Sequence, residues 1–303
     1  MTVTSVTARV PAKINLQLAV GPLRPDGYHG LVTVFHAVSL FDELTVTAAE
    51  SDSVEVSGDD AESVPADGDN LAMRAVRALR EETGRPDTVA VSIAKRIPVA
   101  GGMAGGSADA AAALVACNAL WDAGLSQQEL CDVAARVGSD VAFAVLGGTA
   151  VGRGRGEQLT PALVAPAQYH WVLALADGHL STPAVFGKLD QLRAGRHVRE
   201  PELSNDLMSA LRAGDAGQLG AAISNDLQAP AIALFPALQK TLSAGRDSGA
   251  LAALVSGSGP TCYFLAHDDA HAKDVAASLS AAGVCRATAS ATGPAAGATV
   301  LAR

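Results

Sequence analysis

The stretch Pro98-Val-Ala-Gly-Gly-Met-Ala-Gly-Gly-Ser-Ala-Asp-Ala-Ala111 contains two glycine pairs and runs directly into an alanine-rich segment. Glycine adopts backbone angles that are closed to other residues, and it lets a ligand approach the main chain closely. Alanine and leucine are strong helix formers, and no helix breaker occurs before Ala116. The stretch therefore predicts a glycine loop that leads into a helix N-terminus near Ser107, where free N–H groups and the helix dipole favour an anion such as phosphate.

Two familiar phosphate-binding motifs do not fit this loop. A Walker loop places Lys after its last glycine, whereas Ser107 and Ala108 follow Gly106 here. The G-x-G-x-x-G fingerprint of dinucleotide-binding proteins is also absent from the stretch. A glycine-rich turn that only lets two elements pack closely remains an alternative to phosphate binding.

The composition describes a globular protein with one large or two ordinary domains. The chain has 303 residues, of which 49% are hydrophobic and 17% charged. Its net charge of −9 argues against nucleic acid or an anionic membrane as the main partner. A phosphate site must therefore depend on local groups, because the overall field is unfavourable.

The cysteines and the N-terminal sequence indicate a cytoplasmic protein. The four cysteines, Cys117, Cys131, Cys262 and Cys285, are far apart and form no C-x-x-C pair, which favours free thiols in a reducing compartment. The first residues lack the charged-then-apolar pattern of a signal peptide, and no apolar run is long enough to span a bilayer. We expect a monomer or a weak homodimer that acts on a small molecule.

Residues 6–20 alternate between apolar and polar side chains, which predicts a strand. Its apolar face carries Ile14 and Leu16, and its polar face carries Lys13, Asn15 and Gln17. The polar face could be simply solvated. Pro11 immediately before it suggests an edge or a bulge, which is a common place for a functional side chain.

The rest of the chain mixes helical and strand patterns, which predicts an α+β fold. Strand patterns cover 31–40, 42–49, 87–93, 171–176 and 284–289, with a strand–turn–strand at 253–265. Helical patterns cover 70–83, 126–137, 202–211, 216–227, 231–244 and 270–282, and a further helix starts with Thr182 as its cap and Pro183 as its first residue. The acidic residues 50–68 predict a surface excursion, and 288–303 either a final strand or a loose end. Glycines from 147 to 156 predict a hinge between domains 1–156 and 157–303.

Several other residues are candidates for a site. Tyr28 and His29 lie at the end of a glycine-flanked loop. They are either a platform for a ligand or a packed tyrosine beside a surface histidine. Lys95 and Arg96 precede the glycine loop, where they could neutralise phosphate or form an exposed pair. Asp140 lies between a glycine and an apolar run, and is either an N-cap or a catalytic acid in an apolar wall.

Three segments together resemble the motifs of the GHMP small-molecule kinases. These segments are Pro11-Ala-Lys-Ile-Asn-Leu16, the Pro98–Ala111 stretch and Val255-Ser-Gly-Ser-Gly-Pro260, and they occur in the family's order over most of the chain. Arg24-Pro-Asp-Gly-Tyr-His29, Gly138-Ser-Asp-Val-Ala-Phe143 and Ser181-Thr-Pro-Ala-Val-Phe186 resemble members that phosphorylate a cytidine-diphosphate-linked polyol on the non-mevalonate route to isoprenoid precursors. The resemblance implies an ATP-dependent kinase of two α+β domains with its active site in the cleft between them.

The resemblance also implies catalytic roles. Phosphoryl transfer needs an oriented nucleophile and stabilisation of the charge on the moving group. Asp140 would accept the proton of the substrate hydroxyl as general base. Lys13 would keep Asp140 ionised and offset the charge of the γ-phosphate. Asn15 and Thr182 would fix the reactive alcohol.

Further roles concern the two ligands and the metal. ATP phosphates would lie on the loop formed by Pro98, Val99, Ala100, Gly101, Gly102, Met103, Ala104, Gly105, Gly106 and Ser107, with Ser107 near Mg²⁺ and Asn70 and Lys95 near the nucleotide. Tyr28 and Phe186 would sandwich the cytosine, His29 would read its edge, and Gly257 and Gly259 would shape the floor beneath the substrate diphosphate. Several relatives use a glutamate as a metal ligand that cannot be assigned here, which leaves Asp140 and Asp109 as candidates.

Overall fold

The computed structural model describes residues 4–302, which form an α+β fold of twelve strands and ten α-helices. The strands are β1 Ser5–Leu23, β2 His29–Ala48, β3 Ser53–Gly58, β4 Val89–Lys95, β5 Thr149–Arg153, β6 Gln158–Pro161, β7 Tyr169–Leu175, β8 Ser224–Asn225, β9 Ala252–Val255, β10 Cys262–Ala266, β11 Ala287–Gly293 and β12 Thr299–Ala302. The helices are α1 Leu71–Thr83, α2 Gly105–Leu120, α3 Gln127–Val137, α4 Ser139–Leu146, α5 Thr182–Arg193, α6 Asn205–Ala213, α7 Ala216–Ala222, α8 Gln228–Leu234, α9 Ala237–Asp247 and α10 Asp269–Ala281.

The first sheet is built around the long antiparallel pair β1 and β2. Its strand order is β12-β1-β2-β4-β3, β5 and β6 extend it beside β2, and the short β8 runs parallel to β1. The prediction of separate strands at 31–40 and 42–49 is wrong, because β2 is continuous. Its register against β1 shifts between Pro11 and Ala12, which pair with Phe41 and Val38. A bulge thus absorbs the break in the pattern.

The polar face of β1 is not solvated. Side chains are buried on both faces from Val10 to Leu18. Helix α2 packs against β1 and β2, and on the polar face Lys13, Asn15 and Gln17 contact Gly102, Thr33 and Glu202. Lys13, Asn15 and Gln17 keep only 7%, 2% and 4% of their surface exposed. Buried polar side chains need hydrogen-bond partners, so these three must be held by specific contacts.

The second sheet has the order β11-β7-β10-β9 and is apolar on both faces. Trp171 and Tyr263 on one face join the core of the first sheet, and Val172 and Phe264 on the other face pack with helices α9 and α10. Strand β12 then returns to the first sheet and pairs with β1. The division into 1–156 and 157–303 stays a prediction.

Three helix predictions in the second half need correction. The predicted helix 231–244 is two helices, α8 and α9, because Pro236 has no N–H to continue the ladder and stands at the start of α9. Helix α7 ends at Ala222, after which β8 pairs with β1. Helix α6 begins at Asn205 with Ser204 as its cap, three residues later than predicted.

The remaining elements follow the sequence patterns with small shifts. The excursion at 50–68 contains β3 and a 3₁₀ turn, and the segment after residue 287 forms two strands, β11 and β12. Strand β11 begins at Ala287 rather than Val284. All four cysteines are free thiols. Within residues 4–302, no helix has the length and apolar character needed to cross a membrane.

Candidate active site

The glycine stretch forms a loop followed by a helix, as predicted. Helix α2 begins at Gly105, two residues before the predicted start, and Ala104 precedes it in the left-handed region with φ 61°. Gly102 is also left-handed, with φ 77°, and a Cβ placed on it would lie 2.1 Å from the Ser256 carbonyl oxygen. Glycine is therefore required at residue 102 for both its angle and the close approach of another chain segment.

The segment that approaches Gly102 is the turn between β9 and β10, which carries the third sequence motif. Ser256 Oγ donates a hydrogen bond to the Gly102 carbonyl at 3.1 Å, and Thr261 N donates to the Gly101 carbonyl at 3.3 Å. Gly257 and Gly259 have φ 55° and 79°. The two glycine segments, far apart in sequence, thus form one continuous backbone wall.

Lys13 joins this wall to the first strand. Its Nζ donates to Asn15 Oδ1 at 2.9 Å and to the Gly102 carbonyl at 3.1 Å, and lies 3.9 Å from Asp140 Oδ2. Burial lowers the pKa of Lys13, and the charge of Asp140 opposes that effect. The ammonium is therefore held by a carbonyl, an amide and a carboxylate in a place with little water.

Asp140 is not an N-cap. Gly138 occupies that position, and Asp140 lies in the first turn of α4 with 35% of its side chain exposed. No hydrogen bond within the described residues engages its carboxylate. Its remaining lone pairs are thus free to accept a proton or a hydrogen bond from a ligand.

Asn15 is fixed by hydrogen bonds on both ends of its amide. Its side-chain oxygen accepts from Lys13, and its Nδ2 donates to Thr33 Oγ1 at 2.8 Å. The main-chain carbonyl of Asn15 also accepts a hydrogen bond, from Tyr263 OH at 2.6 Å. Thr182 lies within the first turn of α5, one residue after the cap Ser181, so its predicted role as the cap is wrong by one residue. Its hydroxyl is 2.9 Å from Ser258 Oγ.

These groups line one cavity of about 580 Å³, here called the central cleft. Strands of the first sheet, the glycine loop, α4 and α5 all contribute to its wall. The predicted residues that line it are Lys13, Asn15, Ala100, Gly101, Gly102, Ala104, Gly105, Gly106, Ser107, Asp140, Thr182, Phe186 and Gly257. Its size suits a small organic ligand with a phosphate.

Of the two rings predicted to sandwich a base, Phe186 lines the central cleft and Tyr28 does not. The ring of Phe186 stacks on His29, with ring centroids 5.4 Å apart and planes at 26°. His29 is buried, with Nδ1 2.9 Å from the Gly21 carbonyl and Nε2 3.4 Å from Asp190 Oδ1. Its reading as a surface histidine is therefore wrong.

Tyr28, in contrast, is 53% exposed, and the guanidinium of Arg155 lies 3.6 Å from the centre of its ring. Arg155, which belongs to none of the motifs described above, also lines the central cleft. A base between Tyr28 and Phe186 stays a prediction.

A second cavity of about 230 Å³, here called the side cavity, adjoins the glycine loop. Asn70, Lys95 and Asp109 line it together with Val99 and Gly106 of the loop. Asn70 caps α1 by accepting from Ala72 N at 2.8 Å, and its Nδ2 donates to the Pro65 carbonyl at 2.7 Å. Asn70 therefore fixes the wall of this cavity.

Lys95 is the centre of a buried ion cluster rather than an exposed cation. Its ammonium contacts Asp42 at 2.5 Å and Asp109 at 2.7 Å. Burial by itself would lower the pKa of Lys95, but the charges of Asp109 and Asp42 raise it. Burial raises the pKa of Asp109 to about 7. The neighbouring charge of Asp42 adds to this effect, and the charge of Lys95 opposes it. Asp42, which lies within β2, belongs to no motif that would mark it as part of a cluster.

No ready-made metal centre exists in the part of the chain described. Residues 4–302 contain no group of three His, Cys, Asp or Glu side chains that could hold a metal ion. Ser107 and Asp140 line the central cleft, whereas Asp109 lines the side cavity and binds Lys95. Mg²⁺ commonly keeps waters and binds one or two protein groups plus substrate phosphates, so Ser107 and Asp140 fit such an ion.

Comparisons with known proteins agree with this geometry. The family profile for the GHMP kinases N terminal domain matches residues 70–148, and the GHMP kinases C terminal profile matches residues 207–298. The chain is 56% identical to the 4-diphosphocytidyl-2-C-methyl-D-erythritol kinase of Thermobifida fusca, covering 98% of this chain and 99% of that protein. It is also 56% identical to the enzyme of the same name from Streptomyces coelicolor, covering 98% and 99% of the two chains.

Solved structures show the same fold. The crystal structure of 4-(cytidine 5'-diphospho)-2C-methyl-D-erythritol kinase superposes with a TM-score of 0.76 at 34% identity, covering 94% of this chain and 98% of the other. A homoserine kinase from Cytophaga hutchinsonii superposes with a TM-score of 0.72 at 17% identity, covering 99% and 98%. The second likeness concerns the fold alone. Family profiles over both halves and relatives over nearly the whole length place the chain in the GHMP kinase family.

Proposed function

We propose that this protein transfers the γ-phosphate of ATP to the 2-hydroxyl of 4-diphosphocytidyl-2-C-methyl-D-erythritol, giving the 2-phosphate and ADP in non-mevalonate isoprenoid precursor biosynthesis. The observation that supports it most is the 3.9 Å approach of Lys13 and Asp140 beside the glycine loop. That pair occurs in a chain 56% identical to kinases named for this substrate.

In this proposal Asp140 is the general base. It accepts the proton of the attacking hydroxyl, which makes the oxygen a better nucleophile as the bond to phosphorus forms. Lys13 places a positive charge beside the Asp140 carboxylate and beside the transferred group. Asn15 fixes Lys13, and Thr182 with its partner Ser258 orients the alcohol.

The glycine loop binds the triphosphate in this proposal. Backbone N–H groups at the start of α2 face the phosphates, and the helix dipole adds to their attraction. Ser107 and Asp140 would hold Mg²⁺ together with phosphate oxygens, and the bound ion would neutralise charge on the transferred group. The adenosine lies toward the side cavity, where Asn70 and Lys95 shape the wall.

The cytidine end of the substrate lies near the opening of the central cleft. Phe186, held against His29, offers one ring face, and Tyr28 offers a second. Gly257, which lines the cleft, leaves room for the diphosphate because it carries no side chain. Stacking on aromatic rings tolerates any base, so selection of cytosine requires the polar edge of His29 or nearby backbone groups.

An acceptor panel tests this assignment. ADP release should be measured with 4-diphosphocytidyl-2-C-methyl-D-erythritol, homoserine and mevalonate as alcohols under identical ATP and Mg²⁺ concentrations. We expect turnover with the first compound only, because the other two carry no base or diphosphate. A higher kcat/KM with homoserine or mevalonate would overturn the substrate assignment and leave the kinase family intact.

A nucleotide-binding sensor without catalysis is the alternative of a different class. The pairing of Lys13 with Asp140 argues against it, since a sensor has no use for a general base. Single-turnover transfer of labelled phosphate to the acceptor distinguishes the two. ATP binding without any transfer would favour the sensor.

A further inference from the structure

The central cleft has few positive charges for the ligands it is proposed to hold. Of the described residues that line it, only Lys13 and Arg155 are cationic. ATP and a cytidine-diphosphate-linked alcohol both bring phosphate charge, and the chain itself has a net charge of −9. A local cation is therefore needed at each end of the cleft.

In the proposed function, Lys13 lies beside the phosphate that is transferred. Its ammonium is buried, bonded to Asn15 and the Gly102 carbonyl, and 3.9 Å from Asp140. These contacts fix it beside the glycine loop. The diphosphate of the cytidine-linked alcohol therefore requires a different cationic partner.

Arg155 is available for that role. Its side chain is 48% exposed, and within residues 4–302 the only hydrogen-bond partner of its guanidinium is Asp26, at 3.2 Å. An arginine fork presents five N–H donors in a plane, so most of them are free to bind an anion. Exposed ion pairs such as this one contribute little, so Asp26 does not prevent exchange for a phosphate.

The backbone around Arg155 is fixed although its side chain is free. Gly154 and Gly156 adopt φ 74° and 104° in the turn between β5 and β6. The Gly154 carbonyl accepts from Leu31 N at 2.8 Å, and Arg155 N donates to Glu157 Oε2 at 2.6 Å. The turn is thus held by backbone hydrogen bonds, and it places the Arg155 side chain in the wall of the cleft.

Tyr28 holds that cation over one face of its ring, so the proposed base would stack on the opposite face. The guanidinium lies 3.6 Å from the centre of the Tyr28 ring, and Tyr28 N donates to Asp26 Oδ1 at 3.0 Å. Asp26, Tyr28 and Arg155 therefore form one cluster. A nucleoside diphosphate stacked on this ring carries its phosphates within reach of an arginine side chain anchored beside it.

We propose that Arg155 contacts the substrate by binding its diphosphate, and that it sets the preference for a diphosphate-linked acceptor over an uncharged one. This inference rests on the proposed function, because it assumes a cytidine diphosphate in the cleft. Arginine suits the task, since its planar fork matches two phosphate oxygens at once.

Calorimetric titrations with CDP and with cytidine test the proposal in the full-length protein. We expect Arg155→Met to weaken CDP binding by about 10- to 100-fold, the usual size of a lost hydrogen bond to a charged group. Cytidine binding should stay within about twofold, as its base and ribose do not carry the charge that Arg155 recognises. Arg153→Met, at the end of β5 and outside the lining of the cleft, serves as the matched control and should change neither affinity.

The outcomes separate the possible failures. Equal losses for CDP and cytidine would overturn the proposal, because Arg155 would then act only by supporting the Tyr28 ring. Unchanged CDP affinity would overturn it as well. Wild-type protein that binds a non-hydrolysable ATP analogue but neither CDP nor cytidine would overturn the proposed substrate and this inference together. Retained binding of the ATP analogue in each variant verifies that the variant is folded.

Discussion

Lys13 Nζ lies 3.9 Å from Asp140 Oδ2, which brings the first strand and the fourth helix together at the glycine loop. Lys13 is almost fully buried and Asp140 is partly exposed to the cleft. The lysine is thus held within the wall of the cleft, while the carboxylate is open to the cleft itself. This asymmetry suits a fixed positive charge and a base that must reach the substrate.

Replacing Asp140 should separate chemistry from binding. Asp140→Asn keeps the shape of the side chain but cannot take up a proton, so we expect kcat to fall by about 10²- to 10⁴-fold. Calorimetry should show little change in binding of an ATP analogue. Asp132→Asn, at an exposed carboxylate that accepts from Gln128, is the matched control. Near-normal turnover of Asp140→Asn would remove Asp140 from the role of base.

The glycine loop should not tolerate a methyl group at residue 102. Gly102→Ala would place its Cβ 2.1 Å from the Ser256 carbonyl oxygen in a left-handed backbone. Gly124→Ala has the same type of strain, with φ 73°, but open space around it. We expect Gly124→Ala to lower the free energy of unfolding by about 1–2 kcal/mol. Gly102→Ala should lose more and also lose affinity for the ATP analogue. Equal losses in urea denaturation would show that the close contact with Ser256 contributes nothing.

The ion cluster around Lys95 should make stability depend on pH in an unusual direction. The pKa of Asp109 is raised from 3.8 to about 7, mainly by burial. Between those values the folded state holds a proton that the unfolded state has released, so this contribution to stability is present below about pH 4 and is lost as the pH rises toward 7. The difference in unfolding free energy between wild type and Asp109→Asn should therefore fall across this window.

Asp52 provides the opposite case for the same measurement. Hydrogen bonds from Arg80 lower the pKa of Asp52 below 3.8, so its contribution is present above that value and is lost as the pH falls. Urea denaturation of wild type, Asp109→Asn and Asp52→Asn at several pH values compares the two signs. A wild-type and an Asp109→Asn curve that run parallel from pH 4 to 7 would contradict the assigned pKa of Asp109.

Removing the Tyr28 ring should weaken base binding irrespective of phosphate. Stacking of a base on an aromatic ring contributes about 1–3 kcal/mol, so Tyr28→Ala should raise the dissociation constants of CDP and cytidine by about 5- to 150-fold. The two ligands should lose affinity in parallel, unlike in Arg155→Met. Tyr169→Phe, in the buried second sheet, is a control that keeps its ring. Unchanged affinities in Tyr28→Ala would exclude the sandwich.

Local patterns predicted the parts of the fold that depend on local physics. The capping box of Ser126 and Glu129 marks the start of α3, and Asn70 caps α1, since a side-chain oxygen next to a free N–H needs no tertiary partner. The glycine loop was recognisable because its glycines mark left-handed or crowded backbone. Pro236, which divides α8 from α9, was a local signal that the helical periodicity of its neighbours obscured.

Contacts between distant segments could not be predicted in this way. Alternation in β1 indicated a polar face, but only contacts with distant segments, such as the Gly102 carbonyl and Tyr263, show that Lys13 and Asn15 on that face are buried. The sequence pattern showed Asp42 only as an acidic residue within a strand. Its ion pair with Lys95 depends on the pairing of β2 with β4 and could not be predicted. Arg155 has no motif of its own, and its relation to Tyr28 exists only because β5 pairs with β2.

The position of the new phosphate tests the central claim most directly. The protein should be incubated with ATP, Mg²⁺ and 4-diphosphocytidyl-2-C-methyl-D-erythritol, and the product examined by ³¹P NMR with ADP measured in parallel. Carbon 2 bears a methyl group and no hydrogen, so the account predicts one phosphate monoester per ADP, without three-bond coupling to a proton. A monoester coupled to carbinol protons, or ADP release with inorganic phosphate as the only other product, would contradict it.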